Sequence, residues 1–129
     1  MGRKAPKLFM IIAIDFDGTC VAHEYPEVGK DIGAVPVLKK LVERGDQLIP
    51  WTTRSGETLQ DAVDWFEKND IPLYGIQKNP DQDSWTSSPK AYAQLYIDDA
   101  ALGCPLKYPP NGKRPYVDWS AVEKMLCLS

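Results

Sequence analysis

The sequence contains one histidine, three cysteines and no apolar stretch near the ~20 residues of a membrane-spanning helix. Cys20, Cys104 and Cys127 lack metal-ligand spacing and, being odd in number, cannot all pair, so they read as free thiols in a reducing compartment. Positive charge is not in excess: fifteen Lys and Arg against eighteen Asp and Glu give a net charge of −3. That balance argues against holding nucleic acid by bulk charge, but leaves room for a phosphorylated substrate in a small local site. With 129 residues there is room for one domain and no second core. An apolar fraction of 43% and a charged fraction of 26% exclude a disordered, collagenous or coiled-coil chain. Arg3, Lys4 and Lys7 precede the apolar run Leu8–Ile14, as in a signal peptide. The run has only seven residues and ends in aspartates instead of a small-residue cleavage site. Pro6 stands where a myristoylation signal needs Ser or Thr. The expectation is a cytoplasmic protein with no membrane partner.

What is present is an alternation of strand and helix signals. Leu8–Ile14 is short, continuous and rich in branched residues, as in a strand buried on both faces. Val35, Leu38, Leu41 and Val42 recur at helical spacing over Val35–Arg44, and Gly45 stands at the C-terminal cap. Gln47–Trp51 reads as a second strand. Ser55 then caps a helix with Leu59, Ala62, Val63 and Phe66 on one stripe. Leu73–Ile76 reads as a third strand, Lys78–Pro89 as a loop, and Leu95–Ile97 as a fourth strand preceded by a short helical turn. Tyr108–Pro115 is irregular, and Asp118 caps a last helix bearing Trp119, Val122, Met125 and Leu126. The pattern predicts a single Rossmann-like α/β domain, a parallel sheet flanked by helices.

In such a sheet, polar residues gather where strands end at their carboxyl side. The first strand ends in Asp15-Phe16-Asp17-Gly18-Thr19, the second in Thr52-Thr53-Arg54, and the fourth in Asp98-Asp99. Carboxylates at buried strand ends need partners, and several together repel unless a cation lies among them. An oxygen-only donor set favours Mg²⁺ over zinc. A carboxylate can also attack phosphorus, and a second acid two residues on can carry the proton. Gly18 permits the tight turn that points both acids at one site.

These residues, in this order, resemble the haloacid dehalogenase superfamily: DFDGT after an apolar strand, Thr after the second strand, a Lys, and Asp-Asp after the fourth. The resemblance spans roughly residues 8–100. It implies a phosphomonoesterase in which Asp15 is the nucleophile and Asp17 the general acid/base. Mg²⁺ would be held by Asp15, the main-chain carbonyl of Asp17, and Asp98 or Asp99. Thr52 would hydrogen-bond the phosphoryl oxygens, and Lys90 would neutralise their charge.

Several positions keep alternatives. Side chains alternate along a strand, so one of Thr52 and Thr53 should face the site; Thr52 is preferred. Lys78 competes with Lys90. Arg54 binds substrate phosphate or is a solvent-exposed residue at a helix start. His23, with Tyr25, lies where the family has a flap over the site, and is a candidate substrate contact. Pro50 cannot donate to a sheet ladder, so an irregularity is expected just before Thr52.

Larger members of the superfamily carry a cap domain. Only 34 residues separate Asp17 from Thr52 and 37 separate Thr52 from Lys90, so the chain resembles the capless members. Their open site suits a large substrate that covers it, or a small one enclosed by a second copy in a homo-oligomer. Two other functions fit the fold: a catalytically weak binding or regulatory protein, and a phosphatase acting on nucleic-acid ends. Position argues against a phosphorelay receiver, whose acceptor Asp lies on the third strand, whereas Asp15 ends the first.

Overall fold

A computed structural model describes residues 10–128. Six of the seven predicted elements form, three strands and three helices. Strand β1 (Ile11–Ile14) is the centre of a three-stranded parallel sheet, with β2 (Gln47–Pro50) on one side and β3 (Leu95–Ile97) on the other. Leu8 and Phe9, expected in the first strand, lie outside the described residues. Ile12, Ala13 and Ile14 are all buried, so both faces of β1 are covered. That burial accounts for an apolar run without polar alternation.

Helix α1 (Ala34–Arg44) buries Ala34, Val37, Leu38 and Leu41, one stripe at helical spacing. Asp31 Oδ1 accepts the amides of Ala34 (2.9 Å) and Val35 (3.3 Å), which helical bonding leaves unsatisfied. At the other end Gly45 takes φ 107°, and the Gly45 and Asp46 amides return to Val42 and Leu41. Helix α2 (Gly56–Lys68) follows Ser55, as expected, and buries Ala62 and Phe66. Trp65 and Phe66 pack around Phe16, with ring centroids 5.6 and 6.0 Å from it. Backbone alternation thus sends Phe16 into the core between two acids that face outward.

The third predicted strand does not form. Leu73–Ile76 runs beside β2 in extended but irregular backbone, joined by Tyr74 N–H to Leu48 O (2.8 Å) and Gln77 N–H to Pro50 O (2.9 Å). Leu48 and Pro50 therefore turn their backbone polar groups away from β1, and Pro50 has no N–H to offer there. The ladder fails at that rung. The helical turn expected before β3 is also absent, and residues 89–94 are bends and extended chain.

A two-residue antiparallel ribbon, β4 (Leu106–Lys107) with β5 (Tyr116–Val117), flanks the irregular segment 108–115. Helix α3 (Trp119–Met125) is capped by Asp118, whose side chain accepts from the Ala121 amide. Ribbon and helix both hold the loop after β1: Val117 N–H donates to Gly18 O (3.0 Å), and Trp119 Nε1 donates to Thr19 O (2.6 Å). No helix of the described residues is long and apolar enough to cross a membrane.

Candidate functional site

Asp15 follows β1 and donates its amide to Ile97 O on β3 (2.9 Å), so the β1 and β3 carboxyl ends lie side by side. This brings Asp15, Asp98 and Asp99 together, each offering an oxygen within 4.8 Å of the others. The three line a cavity of about 710 Å³ with Asp17, His23, Tyr25, Thr53 and Arg114. Burial, then a hydrogen bond toward Asp99 and repulsion from Asp98 and Asp99, pushes Asp15 from an ordinary 3.8 up to about 8. Crowded acids of this kind take up either a proton or a cation, and oxygen donors suit a hard divalent ion.

Thr19 joins the acids. Its buried hydroxyl lies 2.8 Å from Asp15 Oδ2 and 3.3 Å from Asp99 Oδ1, and accepts the Asp99 amide at 3.0 Å. The sequence reading passed over this residue, although a hydroxyl four positions beyond Asp15 in a tight turn is within reach. His23 Nε2 meets Asp99 Oδ2 at 3.1 Å. It arrives across Gly18, where a Cβ would stand 2.0 Å from the imidazole nitrogen.

Residues 20–32 form the expected flap. Its base is closed by Ala22 N–H to Lys30 O and Ile32 N–H to Cys20 O. Arg54 holds its tip. The guanidinium is buried and all five of its N–H groups are committed. Nε and one terminal nitrogen form a fork on Asp17, at 2.8 and 2.7 Å. The rest reach the main-chain oxygens of Pro26, Glu27 and Thr58. Phe16 and Tyr25 lie against its faces, 5.1 and 5.2 Å from the ring centres. The Asp17 carboxylate holds this guanidinium firmly in its charged form. Arg54 is therefore neither a substrate contact nor a solvent-exposed side chain. It positions Asp17 and ties the flap to α2.

Two other expectations are corrected. Thr53, not Thr52, lines the cavity. Thr52 Oγ1 accepts the Arg54 amide (3.1 Å), while Gln77 brackets the Thr52 backbone with bonds of 2.7 and 2.6 Å. This tight local turn rotates the pair. Lys90 also stays away: its ammonium lies 5.5 Å from the centre of the Tyr96 ring and lines a separate cavity with Trp85 and Tyr92. Gln82 fixes that backbone by donating to Lys90 O (2.7 Å) and Ser88 O (3.2 Å). Lys78 pairs with Asp83 at 2.6 Å. The exposed cation on the acidic cavity's wall is Arg114, from the irregular segment before β5.

No protein-family model and no curated protein matches the sequence. A solved structure of a conserved protein from Bacteroides thetaiotaomicron is similar, with 35% identity and a TM-score of 0.75 over 92% of this chain and 89% of that one. Identity and coverage of that order, with a shared fold, make this chain a member of the same family as that conserved Bacteroides protein.

Proposed function

We propose that the protein is a Mg²⁺-dependent phosphohydrolase of the haloacid dehalogenase type, with a capless Rossmann-like core and Asp15 as nucleophile. The observation that carries this reading is the meeting of Asp15, Asp98 and Asp99 within 4.8 Å at the carboxyl ends of two adjacent strands. Mg²⁺ held by these oxygens would offset the repulsion between Asp15 and an incoming phosphate. Asp15 attacks phosphorus, the P–O bond to the alcohol breaks, and the departing oxygen takes a proton. Water then attacks the aspartyl-phosphate, releasing phosphate and restoring Asp15. Asp17 is the proton carrier in this scheme. The Arg54 fork fixes its rotamer, and protons reach it by the lone pairs that the fork leaves open. Thr19 holds Asp15 in line, while Thr53, His23 and Arg114 face the phosphoryl group.

The same fork favours one rival. A carboxylate committed to a buried guanidinium suits a protein that binds a cation and a phosphorylated ligand without turning it over. Phosphate release from a panel of phosphomonoesters, with Mg²⁺ or with EDTA, separates the two. Metal-dependent release that falls by at least about a thousandfold in Asp15→Asn is expected of the enzyme. A folded, Mg²⁺-binding chain that is silent on every ester would favour the rival.

A further inference from the structure

We propose that a second cavity beside the acidic one binds another anionic group of the substrate. The preferred substrate is then a small phosphomonoester with a phosphate or carboxylate at its far end. This rests on the phosphohydrolase reading for the reacting end only. The cavity measures about 640 Å³ and shares His23 and Arg114 with the acidic one, so the two are neighbours across those side chains. Its size suits a small polar group and a short linker, not a macromolecule.

The charge changes sign between the two ends. Four aspartates line the first cavity. Lys30, Lys113 and Arg114 line the second, against Glu24 and Asp31. Asp31 is occupied, since one of its oxygens accepts the first two amides of α1. Among the described residues, none of the three cations makes an ion pair or a side-chain hydrogen bond. In a chain of net charge −3, three unpaired cations around one cavity are a local feature.

Their backbone is anchored from two directions. Lys30 stands at the flap base, where its carbonyl accepts the Ala22 amide. Lys113 and Arg114 belong to the segment that β5 anchors to Gly18 O. Both supports lead back to the loop bearing Asp15 and Asp17, which fixes the basic cavity relative to the acids. Arg114, on both walls, marks the junction.

The test uses alkyl phosphates with spacers of about three to six carbons that end in hydroxyl, carboxylate or phosphate. The reacting end is constant and only the far end changes. The wild-type chain with Mg²⁺ should show kcat/KM about 10- to 100-fold higher for the anion-ended compounds, as expected of charge-assisted contacts. In the double variant Lys30→Gln, Lys113→Gln that ratio should fall toward one. Hydrolysis of all three series at equal efficiency would overturn the subsite while leaving the phosphohydrolase standing. If nothing is hydrolysed, calorimetry with 1,4-butane bisphosphonate and butyl phosphonate decides. Tighter bisphosphonate binding that the double variant loses supports the subsite and removes the enzyme reading, whereas equal binding overturns the subsite. A phosphorylated trinucleotide hydrolysed in preference to the bisphosphate would overturn the small-molecule assignment.

Discussion

Gly18 has no side chain, and two functional groups use the space. At φ +81° its backbone already lies where L side chains are strained, and a Cβ would meet His23 Nε2 at 2.0 Å and Asp99 Oδ2 at 2.7 Å. Gly18→Ala should therefore push His23 off Asp99 and destabilise the fold by about 1–3 kcal/mol. His23 is the sole histidine, so its ring signals in NMR report the displacement without assignment. Unmoved signals with an unchanged urea midpoint would contradict this account. Arg54 is the second residue whose size and charge are dictated by its surroundings. Arg54→Gln leaves the Asp17 carboxylate without its fork and removes the donors to the Pro26, Glu27 and Thr58 oxygens, a loss of about 3–5 kcal/mol. Arg54→Lys keeps the charge but not the fork, and should recover little in the same unfolding measurement. Full recovery by lysine would reduce Arg54 to a simple counter-charge. None of this was visible at residue 54 itself. An Arg at a strand end reads as a ligand contact, and its burial depends on Asp17 and the flap, which are far away in the chain.

At the scale of elements, local signals were read correctly where they repeat over several residues. The α1 stripe, the Gly45 cap, three of the four short apolar strands and the Asp118 cap appear where periodicity and cap chemistry put them. The readings that failed depend on single atoms or on distant partners. The missing N–H of Pro50 removes the rung that Leu73–Ile76 needed, although that apolar run looked like a strand. The β4–β5 ribbon has two residues per strand, too few for any alternation to show. Yet this ribbon delivers Arg114 to the acidic cavity, whereas the loop carrying Lys90 is held elsewhere by Gln82. The acids were legible because any parallel α/β sheet collects polar groups at its strand ends. The cation was not, because its element left no pattern. Arg114→Ala is expected to lower kcat/KM for phosphate release by about 10- to 100-fold, and Lys90→Ala by no more than about threefold. Steady-state kinetics on the two variants checks the ranking, and the reverse order would return the role to Lys90.

At the scale of the whole molecule, the acid cluster ties folding to pH and, on the proposed reading, to a bound cation. Asp15 titrates near 8 in the folded chain because of burial and its carboxylate neighbours, against an ordinary 3.8 when unfolded. Between those values the folded state holds a proton that the unfolded state has released, so stability falls as pH rises. The contribution is fully present below about pH 4 and gone above about pH 8. On the proposed reading a divalent cation would replace that proton. It binds the folded cluster better as pH rises, and at a hundredfold excess over its dissociation constant adds about 2.7 kcal/mol. Melting temperature in EDTA should therefore decline from pH 5 to pH 8, and millimolar Mg²⁺ should restore it most at the upper end. Asp15→Asn carries no titrating group at that position, so it should show a flatter decline and a smaller Mg²⁺ effect. A wild-type profile flat in EDTA and indifferent to Mg²⁺ at pH 8 would mean that the three aspartates neither share a proton nor hold a cation. The phosphohydrolase reading would then lose the observation on which it stands.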